Sequence, residues 1–382
     1  MPDQKIKIAI VGGGPGGLTL ARLLQNKNAA VKVFERDFNK EVRVQGATLD
    51  LHEESGLAAL EKAGLMDAFK ANFRPGAEMM RITDHQATIF YDEHAELSEN
   101  TFGGKYSRPE IDRGPLRHIL LESLKPGTVV WDSHFVSMEK KEAGWQLNFK
   151  NGNTAYADMV IGADGANSAI RPNLTAIRPF YTGVTAVEGI VYDSETSAPA
   201  MHRLLRGGKI FAFGGGKNLI LSSKGDGSLN FYVSFKTEES WVKDSGLDFN
   251  DAVQVLNWFK KEYQEWSDAW YELFENATAP YVPRPIYSVP LDQTWEALPN
   301  VTLLGDAAHL MPPFAGEGVN MAMLDALELS EQLDLSDLLK SIAAYEKKMR
   351  KRSSEAVQAS LENTEWMHSE NALTLMLEMF NR

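Results

Sequence analysis

The 382-residue chain contains no cysteine. That excludes disulfides, thiolate nucleophiles, iron–sulfur clusters and cysteine-ligated zinc. Basic charge is also short: 39 Lys and Arg stand against 52 Asp and Glu, a formal net charge of −13. A nucleic-acid partner, which needs clustered cations against phosphates, is therefore not expected. The one basic run, "EKKMRKR" from Glu346 to Arg352, reads as a solvated helix face. No apolar run approaches the roughly 18–20 residues of a membrane span. The start, "MPDQKIKIAIVGGG", passes straight into a strand, without the apolar stretch and cleavage site of a secretory signal. A cytoplasmic protein without a membrane partner is the expectation. Also missing is any Ser–His–Asp or metal-ligand constellation, so no catalytic side chain and no metal are assigned. His309 follows Asp306 with no partner nearby in sequence and reads as a packed or capping histidine.

What is present is enough apolar sequence, 43%, for a large core and two domains. Glycine stops recur at three strand ends. The first is Gly12-x-Gly14-x-x-Gly17, between the strand "KIKIAIV" and the helical "LTLARLLQNKN". Glycines at these positions allow a tight turn, close approach of a pyrophosphate and close helix–strand packing. The free N–H groups and partial positive charge of the helix start then face the phosphates. Glu35 ends the next strand, placed to accept from a ribose diol. The second stop is "VIGADGANSAIR", Val160 to Arg171, where Asp164 either meets a ligand or caps the turn that follows. The third is "LLGDAAHLMPPFAGEGVN", Leu303 to Asn320: Asp306 could accept from polyol hydroxyls, and a helix opening at Gly318 would aim its positive end over "PPFAGEG".

Residues 1–75, 105–175 and 286–330 read as one discontinuous nucleotide-binding α/β domain built on a parallel sheet. Residues 76–104 and 176–285 carry alternating strands such as "NLILSS" and "LNFYVSFK", the pattern of a mainly antiparallel sheet with an open face. They form an inserted substrate domain. Residues 340–382 are a helical segment closing over it. The other glycine cluster, "FGGGKN" at Phe213–Asn218, reads as a hairpin turn.

Together, GxGxxG with Glu35, "GADGANSAIR" and "LLGDAAHLMPPFAGEGVN" resemble the FAD-dependent class A (aromatic-hydroxylase type) flavoprotein monooxygenases in order and approximate spacing. The likeness runs from Ile6 to about Leu333. Within that family, "RVQGATLDLHEESGLAALEKAGL" and "RPEIDRGPLRHILLESL" look closest to the tetracycline-inactivating enzymes. The resemblance implies a Rossmann-like FAD domain in which one extended cofactor answers all three stops. Gly12, Gly14 and Gly17 would hold the pyrophosphate; Glu35 and Arg36 would flank the adenosine. Asp306 would take the ribityl chain, and Pro313, Gly316, Gly318 and Asn320 would lie beside the isoalloxazine. Asp50, Arg113 and Asp164 match further FAD positions, and Arg43 matches one assigned to NADPH.

The implied reaction is NADPH- and O2-dependent hydroxylation through a C4a-hydroperoxyflavin, of the EC 1.14.13 type, by a monomer. The absence of a second GxGxxG favours transient NADPH docking over a separate nicotinamide domain. A polycyclic small molecule is the implied substrate, tetracycline first, with antibiotic resistance as the consequence. Phe314 and Met367 would face it. Glu188, Lys209 and Asn230, however, stand where the tetracycline-inactivating enzymes place Gln, Arg and His. Losing such donors would cost about 1–3 kcal/mol each where partners are left unpaired. Another aromatic or polyketide substrate, or a non-catalytic FAD- or drug-holding protein, are the alternatives. A halogenase would carry a Trp-x-Trp-x-x-Pro stretch, which this chain does not have.

Overall fold

Ile8, Ala9, Ile10 and Val11 are all buried, a continuous apolar strand of the kind that needs cover on both faces. A computed structural model, describing residues 6–42, 46–95 and 108–380, places it in the middle of a five-stranded parallel sheet. The spatial order is Val301–Leu303, Met159–Gly162, Lys7–Val11, Ala30–Phe34 and Val129–Val130. Ile8 stands opposite both Met159 and Val31. Three stretches far apart in sequence, each ending in a glycine stop, therefore finish at the same sheet edge. That edge is where open α/β sheets bind their ligands. The Pro15–Asn26 and Gly318–Gln332 helices pack together on one face of the sheet. A three-stranded antiparallel meander, Phe135–Lys141, Gly144–Phe149 and Thr154–Ala157, packs against the same core.

The inserted sheet has seven strands in the order 282–288, 180–191, 229–236, 217–223, 209–214, 80–84, 89–92. It is mixed, because Lys209–Gly214 pairs in parallel with Met80–Asp84 while every other pairing is antiparallel. The parallel seam joins the 80–92 hairpin, from much earlier in the chain, to the outer strand of the 209–236 meander. Phe213–Asn218 is the tip of a hairpin, with Gly215 and Gly216 at φ +58° and +66°. Those angles suit the tight turn that matches strand twist. On one face, Trp258, Phe259, Trp270, Phe274 and Tyr281 form an aromatic core under the sheet. The Leu338–Met367 helix crosses the molecule; its 30 residues reach about 45 Å. A second helix, Ala372–Phe380, follows it against the hairpin side of the sheet.

The basic run at Glu346–Arg352 corrects the sequence expectation. Lys347, Lys348 and Lys351 are solvated, but Glu346 is fully buried and Arg350 and Arg352 are half-buried. Glu346 turns inward onto the strand Val301–Leu303, while Arg352, on another side of the helix, meets the Gly318–Gln332 helix. Glu346 accepts from Thr302 Oγ1 at 2.8 Å, and the Tyr345 hydroxyl donates to the Leu303 carbonyl at 3.0 Å.

Candidate functional site

At the first stop the backbone itself demands glycine. Gly12 has φ +111°, and a Cβ there would stand 2.2 Å from the Ala163 carbonyl oxygen; a Cβ on Gly17 would stand 2.2 Å from that of Gly12. These two positions let the first loop, its helix and the second loop close on one another. Gly14 differs: it is extended (φ −79°, ψ 178°), and a Cβ there would meet no atom of the described residues within 4 Å. It borders open space.

That space is a cleft of about 610 Å³. All three stops line it: Gly12, Gly14, Gly17, Glu35 and Arg36; Asp164 and Gly165; Gly305, Asp306, Pro313, Gly316 and Gly318. Asp50 and Arg113 complete the wall. Among the expected FAD contacts, Asn320 alone does not line it. Asn320 is buried behind the wall, where its Oδ1 accepts from the His52 N–H at 3.0 Å and the Ser55 hydroxyl at 3.3 Å. Its Nδ2 donates to the Asp50 carbonyl at 3.0 Å. The side chain thus pins the Gly318–Gln332 helix to the segment that carries Asp50. Arg43 lies outside the described residues.

The three acidic groups at the strand ends have different roles. Glu35 is 2% exposed and accepts from the Gly13 N–H at 2.6 Å and the Asp37 N–H at 3.0 Å. It shapes the loop, with a lone pair on each oxygen to spare. Asp164 is a cap: it accepts from the Ser168 hydroxyl at 2.6 Å and from the N–H groups of Ala169 and Ile170 at 2.8 and 3.2 Å. Burial raises its pKa. Asp306 is open to the cleft, and no protein hydrogen bond to its carboxylate is found among the described residues. The protein walls crowd it even so, and that desolvation raises its pKa, against the pull of His309 and Arg113. Asp50 is shifted the other way. Burial pushes its pKa up, but the hydrogen bond from His52 (3.2 Å) and the nearby charges of Lys209, His52 and Arg108 bring the net below the usual value.

Behind Asp306 lies a network that no motif announces. His309 does have a partner: its Nε2 meets Asp325 Oδ2 at 2.6 Å, both side chains fully buried. The same Asp325 oxygen accepts from the Gly305 N–H at 2.8 Å. Burial alone would lower the His309 pKa, yet Asp325 outweighs it and the net shift is upward. Arg352, from the Leu338–Met367 helix, pairs with both Asp325 and Glu328. Arg171 closes the other side. Its guanidinium donates to the Ala308 carbonyl at 2.7 Å, the Ala307 carbonyl at 3.2 Å and Gln293 Oε1 at 2.6 Å. It thereby ties the second stop to the third. Arg171 ends the motif quoted for the second stop, so its place was visible although its role was not. Asp325 and Arg352 follow no spacing rule, because their partners come from different elements.

On the inserted sheet, Glu188 is 2% exposed and already saturated. It accepts from Asn230 Nδ2 at 2.8 Å, the Tyr232 hydroxyl at 2.9 Å and Arg284 Nε at 2.7 Å. Burial and the Glu188 charge push the Tyr232 pKa up. Lys209 is paired with the buried Glu110. Phe314 packs between the Val184–Ala186–Ile286 cluster and Met367, its ring edge-on to His368 at 5.0 Å. Met367 is 2% exposed among Met80, Ile82, Phe213, Ala372 and Met376. His368 Nδ1 donates to the Thr364 carbonyl at 2.7 Å, and Nε2 meets Asn218 Nδ2 at 3.1 Å and Ser234 Oγ at 2.8 Å. Burial lowers its pKa to about 4.

Among known proteins, the family described as "FAD binding domain" matches residues 5–239 and 295–360. The monooxygenase asqM of Emericella nidulans is 30% identical, over 98% of each chain. The monooxygenase penA of Penicillium thymicola is 26% identical, over 96% of each. Klebsiella pneumoniae HpxO, solved with FAD and uric acid, has a TM-score of 0.75 at 22% identity, covering 97% of this chain and 91% of that one. Tetracycline destructase Tet(55) has a TM-score of 0.73 at 20% identity, covering 96% and 90%. At such identities the two structures show a shared fold.

Proposed function

Since the chain belongs to the FAD binding domain family and is an FAD-dependent monooxygenase of the hydroxylase type, we propose that it uses NADPH and O2 to hydroxylate a flat, fused-ring substrate, a phenolic or polyketide. Tetracycline is the first member of that class to test. One observation carries the assignment: three loops separated by some three hundred residues of sequence line a single cleft, and the carboxylate of Asp306 enters it without a protein partner among the described residues.

FAD fits the residues present. The open space at Gly14, facing the start of the Pro15–Asn26 helix, suits a pyrophosphate. Glu35 keeps one lone pair per oxygen for a ribose diol, with Arg36 beside it. Asp306 would accept from the ribityl hydroxyls. Pro313, Gly316 and Gly318 would border the isoalloxazine, toward which the Gly318–Gln332 helix would present its positive end, worth on the order of 1 kcal/mol to a developing anion. Asp50 and Arg113 would close that end. Asp164 and Asn320 act at one remove, the first by holding its turn and the second by pinning the wall. Bound FAD supplies the electron storage and oxygen activation that no side chain here can. The remaining task of the chain is to orient the substrate and keep water out.

On the substrate side, Glu188, Lys209 and Asn230 are engaged with protein partners, so the choice of substrate within the fused-ring class rests on the panel below. The fungal relatives asqM and penA support the monooxygenase activity and leave the substrate open. NADPH would dock transiently, with Arg43 among its contacts, on a monomeric cytoplasmic enzyme. The test is to mix the yellow protein with NADPH, O2 and a panel of tetracyclines and polyketide phenols. A substrate-dependent product heavier by one oxygen atom is expected. NADPH consumption yielding only hydrogen peroxide across the panel would reject the substrate class, and no NADPH consumption would reject the activity. Asp306→Ala is expected to weaken FAD binding about 100-fold, through the loss of charge-assisted hydrogen bonds of roughly 1.5–3 kcal/mol. Retention of full yellow colour through purification would contradict the ribityl role.

A further inference from the structure

The long C-terminal helix touches both ends of the site. Near its middle, Arg352 pairs with Asp325 and Glu328; near its end, Asn363 Nδ2 donates to the Phe314 carbonyl at 3.0 Å and His368 locks onto Ser234 and Asn218. Asp325 holds the Gly305–His309 turn at both ends, by the Gly305 N–H and by His309. That turn is what presents Asp306 to the cleft. We infer that Arg352 is a positioning residue for the cofactor: acting through Asp325, it sets the geometry of the Asp306 turn, so that cofactor retention depends on the docking of the C-terminal helix.

Charge and burial make the dependence steep. Asp325 is fully buried, and its charge is stable there only while cations and N–H groups surround it. His309 and the Gly305 N–H, both belonging to the turn, supply one side; Arg352 supplies the other. If Arg352 is removed, Asp325 loses the cation that belongs to the helix and keeps only partners in the turn. The lowest-energy response is to shift the turn or to take up a proton. Either moves Asp306, whose carboxylate has no protein hydrogen bond among the described residues to hold it in place. The neighbouring Lys351 points to solvent and has no part in this.

The proposal rests on the cleft binding FAD. Wild type, Arg352→Gln, Arg352→Lys and Lys351→Gln are prepared as apoproteins and titrated with FAD, following the visible spectrum and the quenching of flavin fluorescence. Melting temperatures of the apoproteins are recorded alongside. The expected result is a Kd for FAD raised about tenfold or more in Arg352→Gln, the loss of ~1.4 kcal/mol or more of binding. Arg352→Lys should recover most of it, and Lys351→Gln should match wild type. Wild-type FAD affinity in Arg352→Gln, even with a lowered melting temperature, would reduce Arg352 to a stability contact and overturn the inference. An equal loss in Lys351→Gln would do so too. Failure of the wild-type protein to bind FAD would instead overturn the cofactor assignment. If Arg352→Gln does not fold, Asp325→Asn, which keeps the shape and removes the charge, is read by the same outcomes.

Discussion

The cofactor cleft and the inserted sheet are built by opposite means. In the cleft, loops form the wall, and glycines and acids at strand ends line it. On the sheet, side chains from distant strands satisfy each other: Glu188 with Asn230, Tyr232 and Arg284, and Lys209 with Glu110. A backbone site is fixed by local turn chemistry and leaves a motif. A side-chain network is fixed by strand register and leaves none. The contrast extends to two buried histidines at the two ends of the site. His309 is pulled up by Asp325, whereas burial holds His368 down at about 4.

The largest effect expected from breaking this contrast is at the backbone. Gly12→Ala forces a Cβ into the Ala163 carbonyl at a positive φ and should destabilise the fold by about 4 kcal/mol, seen as a large drop in the melting temperature. An unchanged melting temperature would mean that the two loops do not close as described.

Next in size is the pH response of His368. Its pKa is lower in the folded than in the unfolded state, so the unfolded chain binds the extra proton between pH 6.5 and about 4. Its contribution is fully present above pH 6.5 and is lost as pH falls toward 4, by roughly 3 kcal/mol. Stability from urea melts should fall more steeply with acid across that range in the wild type than in His368→Gln. His309 runs the opposite way. Its contribution is fully present below its unfolded value of about 6.5 and is lost as pH rises through the raised folded value.

The smallest effect sharpens the sheet side. Arg284→Met leaves Glu188 buried without its cation. A fully buried pair would cost roughly 3–5 kcal/mol to break. Arg284 is 46% exposed, so about 2 kcal/mol is expected after solvent screening. Adding Glu188→Gln to Arg284→Met should restore much of it. If the double variant is no better than the single, Arg284 is not there to neutralise Glu188.

Much of the fold could be read from the chain itself. Runs of buried residues, as at Ile8–Val11 and Met159–Gly162, announce parallel strands, and the glycine stops mark where they end. The helix at the first stop, expected from Leu18 and found to begin at Pro15, and the hairpin at Gly215–Gly216 follow from turn residues. Less legible were features in which one side chain answers a partner on another element. Asp164 could be read as ligand or cap; its carboxylate turns out to cap residues 168–170. Asn320 sits in a motif beside the cleft, yet its amide is spent on His52, Ser55 and Asp50. The run at Glu346–Arg352 looked solvated because charge density does not reveal which side of a helix meets a buried aspartate.

Gly14 offers the most direct test, because a Cβ there would meet no atom of the described residues within 4 Å and would face the cleft. FAD titration of Gly14→Val is predicted to show an apoprotein that melts close to wild type but no longer holds the cofactor. Wild-type affinity for FAD in that variant would contradict convergence of the three loops on one dinucleotide.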